Sequence, residues 1–164
     1  MLLGGKMKKN NGFTLVELMV TLAVVGIITA MAAPSFGNML NRQDLNKSSQ
    51  ELIAILNKAR SVAVLERRVV EVKLTTIQTA DTVSRLNWLP SGKATLKTGS
   101  TDSLFFGLSG GVFIKDPSDA NKMIPATTDT SFTVCNSYIN NNKNAKTITI
   151  SRMGTIQPTV EGTC

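Results

Sequence analysis

The feature that most constrains this chain is an apolar run from Phe13 to Ala33, in which Glu17 is the only ionisable residue. At about 1.5 Å per residue, a helix of twenty-one residues spans the hydrocarbon core of a bilayer. The residues before the run include three lysines and no acid, namely Lys6, Lys8 and Lys9. Because basic flanks stay in the cytoplasm, the run predicts one membrane-crossing helix, with everything after Ala33 on the far side.

A cleaved secretory signal peptide is an alternative interpretation of the same run. Signal peptides also begin with basic residues, but their apolar core is about 7 to 15 residues long. The small residues between Thr29 and Ala33 resemble a cleavage site for such a peptide. Composition alone therefore leaves open a cleaved signal peptide and an uncleaved signal anchor.

Glu17 distinguishes between these interpretations, because a carboxylate is costly inside a bilayer. The cost is about 2.5 to 3.5 kcal/mol near mid-membrane and less near the interface. Cleavage between Gly12 and Phe13 would place a new α-ammonium on Phe13, one helical turn from Glu17. In an assembly, the ammonium of a neighbouring subunit would serve equally well, and Glu17 is therefore predicted to be an assembly residue.

The segment Gly12-Phe13-Thr14-Leu15-Val16-Glu17 resembles the type III signal sequence of type IV pilins and type II secretion pseudopilins. This resemblance implies that a prepilin peptidase cuts after Gly12, that Phe13 is N-methylated, and that the helices assemble into a filament core. It also implies a single-pass inner-membrane protein whose C-terminal domain lies in the periplasm until it enters an extracellular pilus. The implied partners are membrane lipid, other pilin or pseudopilin subunits and the inner-membrane assembly platform.

Gly26 and Pro34 are the candidate hinge residues of the predicted helix. Proline removes one backbone hydrogen bond and usually kinks a long membrane helix without ending it. Simple tolerance of glycine and proline in membrane helices is the alternative.

Beyond Pro34 the apolar pattern becomes a stripe at the helical period of 3.6 residues. The stripe comprises Leu45, Leu52, Leu56, Ala59 and Ala63. The face assigned to solvent carries Arg42, Gln43, Lys47, Ser48, Ser49, Gln50, Lys58 and Arg60. We therefore predict one continuous helix from Phe13 to about Glu66, whose second half packs on a globular domain.

From Arg68 onward the pattern changes to the alternation that is typical of strands, with Val70, Val72 and Leu74 on one face. The predicted strands are 70–74, 83–88, 104–106, 112–115, 131–135 and 147–151, with a short last one at 155–157. Their predicted connectors lie at 90–92, 107–111, 116–119 and 140–144. Trp88, Phe105, Phe106, Phe113 and Phe132 are expected to pack in the core or between sheets.

The predicted fold class is therefore α+β and pilin-like, with a long N-terminal helix packed on antiparallel sheets. The predicted regions are a cleaved leader at 1–12, a transmembrane and filament-core helix at 13–33, its amphipathic continuation at 34–66 and a β-rich periplasmic domain at 67–164. After removal of the leader and the membrane helix, about 130 residues remain, enough for one core.

Cys135 and Cys164 are the only two cysteines, and both fall in the segment assigned outside the cytoplasm. An oxidising periplasm permits a disulfide between them. Such a bond would hold the C-terminus, and two free thiols are the alternative.

The sequence offers little for catalysis, and we predict no enzyme activity, no cofactor and no metal. It has no histidine and no third cysteine, so the usual Ser/His/Asp and Cys/His arrangements are absent. The net charge of +7 falls to +4 without the three leader lysines. Arg67 and Arg68 form the only adjacent basic pair of the mature chain, which is typical of a solvated helix end.

The overall order of elements and the C-terminal sequence from Ile150 to Ile156 resemble the GspH/FimT family of minor pilins and pseudopilins (FimT/FimU-like). Some members of this family that serve transformation bind DNA through C-terminal arginines beside a glycine. Here Arg152 precedes Gly154, and Thr155 follows it, so Arg152 is an isolated candidate for DNA contact. A minor pilin is the favoured function; a secretion pseudopilin and a DNA-binding pilin for natural transformation are the alternatives.

Overall fold

The computed structural model describes residues 12–74, 80–139 and 144–164. Within these residues, one helix, α1 (Leu15–Leu65), precedes nine strands. The strands are β1 (Val70–Lys73), β2 (Arg85–Asn87), β3 (Thr95–Leu96), β4 (Ser103–Phe106), β5 (Val112–Asp116), β6 (Asp119–Pro125), β7 (Thr130–Cys135), β8 (Ala145–Ile150) and β9 (Val160–Gly162). The α+β prediction is confirmed. Most of the predicted leader, the side chain of Pro34 and most of the connector at 140–144 lie outside the described residues.

The chain divides into two compact units, Met1–Gly37 and Asn38–Cys164. In the first unit, every large apolar side chain described between Phe13 and Ile28 is exposed. No helical stretch among the described residues is both long and apolar enough to cross a membrane. The membrane helix at 13–33 therefore stays a prediction.

Helix α1 ends with a well-defined C-terminal cap. Arg67 has a left-handed φ of 47°, and the amide of Arg68 donates to the carbonyl of Ala63 at 3.2 Å. This is the hydrogen bond of a Schellman motif, in which the left-handed residue is usually glycine. The observed end at Leu65 agrees with the predicted end at Glu66 within one residue.

The apolar stripe of α1 forms one wall of the core, as predicted. All five of its members are buried, from Leu45 to Ala63. They pack against the inward rows of both sheets, which include Val70 and Val72 of β1, Leu104 and Phe106 of β4, Phe132 and Val134 of β7, and Ile148 and Ile150 of β8. Every residue of this core cluster belongs to the unit Asn38–Cys164, which therefore has what it needs to fold without the first unit.

The assignment of Ser48 and Ser49 to the solvent face is wrong, because both are buried. The hydroxyl of Ser49 donates to the carbonyl of Leu45 at 2.8 Å. The hydroxyl of Ser48 accepts a hydrogen bond from the amide of Ser91 at 2.8 Å. Small hydroxyl side chains can be buried when such partners are available, so the buried face of α1 is wider than the apolar stripe.

The strands form two sheets, ordered β2-β1-β4-β5-β6 and β3-β7-β8-β9. All pairs are antiparallel except β1 and β2, which are parallel with Glu71 opposite Arg85. The predicted antiparallel arrangement does not hold at this one pair, where the two strands are also joined by an ion pair between Arg85 and Glu71 at 2.8 Å. Strands that run in the same direction need a longer connection than a hairpin. Helix and sheets together enclose the buried aromatic residues Trp88, Phe106 and Phe132, whereas Phe105 and Phe113 are only half-buried.

The last strand differs from its predicted position. Ile156 makes only an isolated bridge to Ile150, and the strand β9 begins at Val160. Strand β9 pairs with β8, close to the C-terminal cysteine. The predicted disulfide is present, because the sulfur atoms of Cys135 and Cys164 are bonded and their Cα atoms lie 5.8 Å apart.

We expect Cys164→Ser to destabilise the unit Asn38–Cys164 by about 3 to 4 kcal/mol, because the bond closes a loop with a sequence separation of 29 residues. Urea unfolding of the oxidised fragment and of the variant measures this difference. The reduced wild-type fragment is the matched control, and it should unfold like the variant. Equal stability of all three samples would contradict a stabilising role for the bond.

Candidate functional site

The start of α1 has the geometry of a capping box. The Thr14 hydroxyl accepts a hydrogen bond from the amide of Glu17 at 3.2 Å. Threonine at the N-cap followed three residues later by glutamate is the sequence pattern of this motif. Glu17 therefore occupies the first turn of the helix, where the positive end of the helix dipole favours a carboxylate.

The predicted processing site lies directly before this turn. Gly12 and Phe13 precede the helix and are exposed, and the side chain of Phe13 is 76% exposed. A Cβ placed on Gly12 would meet no other atom within 4 Å. Neither residue is covered by the residues that the structure describes.

The first unit presents a surface of large apolar side chains around this carboxylate. The exposed side chains are Leu15, Val16, Leu18, Met19, Val20, Leu22, Val24, Val25, Ile27 and Ile28. Large contiguous apolar surfaces of this kind commonly mark sites of interaction with a protein or a membrane. Gly26 lies on it, and a Cβ added there would likewise meet no atom within 4 Å, so no described side chain packs against this hinge candidate.

The second unit holds the other predicted residues. The C-terminal turn after β8 contains Arg152, whose carbonyl accepts from the amide of Val112 at 2.9 Å. The guanidinium of Arg60 on α1 donates to the carbonyl of Met153 at 3.1 Å. Arg60 is therefore half-buried against this turn and does not lie on the fully solvated face, which corrects its predicted position.

Gly154 has a structural role that its sequence context does not reveal. Its φ is 79°, and a Cβ there would lie 2.1 Å from the carbonyl oxygen of Gly110 and 3.0 Å from Nε of Arg60. Gly110 also has a positive φ of 80°. Two turns that are distant in sequence thus approach each other closely under Arg60, and only a residue without a side chain fits.

The side chain of Arg152 is exposed and has no hydrogen bond or ion pair with the residues that the structure describes. One free arginine provides little of the clustered positive charge that phosphate binding requires. Gly12, Phe13 and Glu17 lie in one unit, and Cys135, Cys164 and Arg152 lie in the other.

Within residues 12–74, 80–139 and 144–164, no three His, Cys, Asp or Glu side chains are grouped so that they could hold a metal ion. Asp116, the last residue of β5, carries a solvent-exposed carboxylate beside the turn to β6. Hydrogen bonds from the hydroxyl and the amide of Ser118 lower the pKa of this carboxyl below its ordinary value. Because Asp116 accepts these bonds within its own turn, it stabilises the hairpin.

Sequence reasoning missed the structural roles of Arg60, Gly110 and Gly154, which together form the contact between two turns. The glycine-rich connector at 107–111 was predicted as a loop, but nothing in its sequence indicates which other turn it contacts. The contact spans more than forty residues between Gly110 and Gly154. The contact between these two turns is therefore visible only in the tertiary structure.

We expect Gly154→Ala to destabilise the fragment Asn38–Cys164 by at least about 1 kcal/mol more than Gly99→Ala. Both glycines have a positive φ, which costs an alanine about 1 to 2 kcal/mol. Only at Gly154 does the new methyl group meet a backbone oxygen, whereas the space around Gly99 is open. Urea unfolding of the two variants measures the difference, and equal destabilisation would contradict the close approach.

Comparison with known proteins finds a match in the N-terminal segment. Residues 7–33 match the family model of the prokaryotic N-terminal methylation motif. The chain is 38% identical over 60 residues to a fimbrial protein of Pseudomonas aeruginosa, covering 37% of this chain and 38% of that protein. It is 38% identical over 48 residues to the type IV major alpha-pilin of Moraxella bovis, covering 29% of this chain and 30% of that protein.

The chain thus matches less than two fifths of the length of these curated relatives. Among solved structures, the type IV minor pilin FimU of Pseudomonas aeruginosa is similar, with a TM-score of 0.49 and 22% identity over 71% of this chain and 88% of that chain. The predicted resemblance to type IV pilins is confirmed in the N-terminal segment.

Proposed function

We propose that the chain is a minor pilin, a subunit of a type IV pilus that is incorporated at the tip or in the assembly-priming complex. In this role it serves pilus biogenesis, and through it adhesion or twitching motility. The observation that carries the proposal is the exposed apolar segment with one carboxylate in its first turn, inside a matched methylation motif. A prepilin peptidase cuts after Gly12, and Phe13 is then N-methylated.

The exposed apolar segment is shielded from water first by the inner membrane and then by the filament core. Each large apolar side chain gains about 1.5 to 3 kcal/mol when it leaves water, so the segment first lies in the inner membrane as a single span. The second unit is then in the periplasm, where the disulfide can form. The inner-membrane assembly platform transfers the helix from lipid into the filament core.

Glu17 gives this transfer its specificity. Lipid tails are as apolar as the side chains of a neighbouring helix, so the hydrophobic effect does not favour assembly over the membrane. The pairing of Glu17 with the ammonium of Phe13 on an adjacent subunit does favour it, because both charges are poorly solvated there. Small residues such as Gly26 and Ala30, four positions apart, allow helices to approach closely.

The test is the incorporation of a Glu17→Gln variant into pili of the source organism. Glutamine also suits the third position of a capping box, so this change removes the charge and spares the helix start. We expect normal removal of the leader and at least about a tenfold loss of the subunit from sheared pili, since an unpaired buried charge costs about 2 to 5 kcal/mol. Quantitative immunoblotting of pili and membranes measures both.

Glu51→Gln is the matched control, because Glu51 is an exposed acid further along the same helix. This variant should be incorporated like the wild type. Wild-type incorporation of Glu17→Gln would contradict the proposed pairing. Deletion of the gene distinguishes a pilus subunit from a pseudopilin of type II secretion. If the chain is a secretion pseudopilin, the deletion strain should still make pili but should retain exoproteins in the periplasm.

A DNA-binding pilin for natural transformation is the weaker alternative. Its candidate residue is Arg152, an exposed side chain in the turn that follows β8. Binding to phosphates depends on several cations together, and the guanidinium of Arg60 beside this turn is already bonded to the carbonyl of Met153. The structural role in a filament is therefore favoured.

A further inference from the structure

The second unit carries an exposed apolar surface that the proposed filament core does not use. It lies where α1 ends beside the loop between β4 and β5, and we call it the helix-end patch. Its exposed members are Val64, Leu65, Val69, Leu108 and Met123, and the half-buried Phe113 lies beside them. Leu65 is 81% and Leu108 is 54% exposed, so the described residues leave this surface open.

Two adjoining depressions give the helix-end patch its shape. One, of about 450 Å³, lies between the last turns of α1 and Ser109. The other, of about 350 Å³, lies between Val69, Leu108 and Met123 and is also bordered by Ser109. A contiguous, concave apolar surface of this kind marks an interaction site.

The rim of the helix-end patch is positively charged. Arg60 borders the first depression, and Arg67 lies in the chain between Leu65 and Val69 and is exposed. Lys115 lies opposite Met123 across the β5–β6 pair, so both side chains are on the same face of the sheet. Glu66 does not offset these charges, because it is paired with Arg68.

The combination of an apolar floor and a positively charged rim distinguishes between possible binding partners. Nucleic acid would use the cations but would leave the apolar floor uncovered. A second copy, docked patch to patch, would bring the same cations together. The occupant that fits both features is a protein surface that inserts apolar side chains between the cations and places carboxylates beside them. Protein interfaces are rich in methionine, aromatic residues and arginine, which the helix-end patch and its rim also contain.

We infer that the helix-end patch binds a second protein through an apolar side chain flanked by Asp or Glu residues. Such an apolar anchor fills a depression, and the charged rim sets orientation and the rate of encounter. The inference concerns the unit Asn38–Cys164 alone and does not depend on the filament role of the first unit.

The test is photo-crosslinking in living cells of the source organism, with a benzophenone amino acid in place of Leu108 in the full chain. We expect a crosslink to another protein, and mass spectrometry should locate it in a peptide in which an apolar residue adjoins Asp or Glu. Arg67→Glu should lower the yield of this product at least about fivefold. The matched control is Lys58→Glu, an exposed charge reversal on α1 outside the patch, which should leave the yield unchanged.

Two checks keep the result interpretable. A benzophenone in place of Val160, an exposed residue of the edge strand β9, should not give the same product. Each variant must retain the disulfide and the thermal unfolding of the wild type; if Arg67→Glu does not, Lys115→Glu replaces it. The inference is overturned by the absence of a product, by a crosslink to DNA or to a second copy, or by a yield that is insensitive to the charge reversal.

Discussion

The structure depends on one constraint, which is that α1 must satisfy two different environments along its length. Its first turns expose large apolar side chains around a single carboxylate, Glu17. Its later turns bury a stripe from Leu45 to Ala63 under two sheets. The first part therefore needs a cover from outside the chain, whereas the second part provides the core on which the strands assemble.

Polar contacts from the second half of α1 also hold the loops of the globular unit. Ser48 accepts from the amide of Ser91, and Asp44 accepts from the amide of Lys93 at 3.1 Å. Asn136, at the end of β7, donates to the carbonyl of Asn41 at 2.9 Å. These contacts fix loops from different parts of the chain against residues 41–48 of one helix, and the bond between Cys135 and Cys164 holds the C-terminus to the same unit.

The sequence was most informative where a local pattern decides the structure. The apolar period predicted both the extent of α1 and its buried stripe, and the spacing from Gly12 to Glu17 predicted the motif that the family model matches. It was least informative where distant segments decide. The parallel pairing of β1 with β2, the buried hydroxyl of Ser48 and the close approach of Gly154 to Gly110 all depend on contacts between residues far apart in the chain.

The most direct test of the central claim, that the N-terminal segment is processed for filament assembly, is mass spectrometry of the mature N-terminus from the source organism. The predicted result is a chain that begins at Phe13 and carries one methyl group on its α-amino nitrogen. An uncleaved chain that still carries residues 1–12 would contradict this claim. Cleavage near Ala33 would contradict it more strongly, because it would remove Glu17 and the apolar segment and identify an ordinary secretory signal peptide.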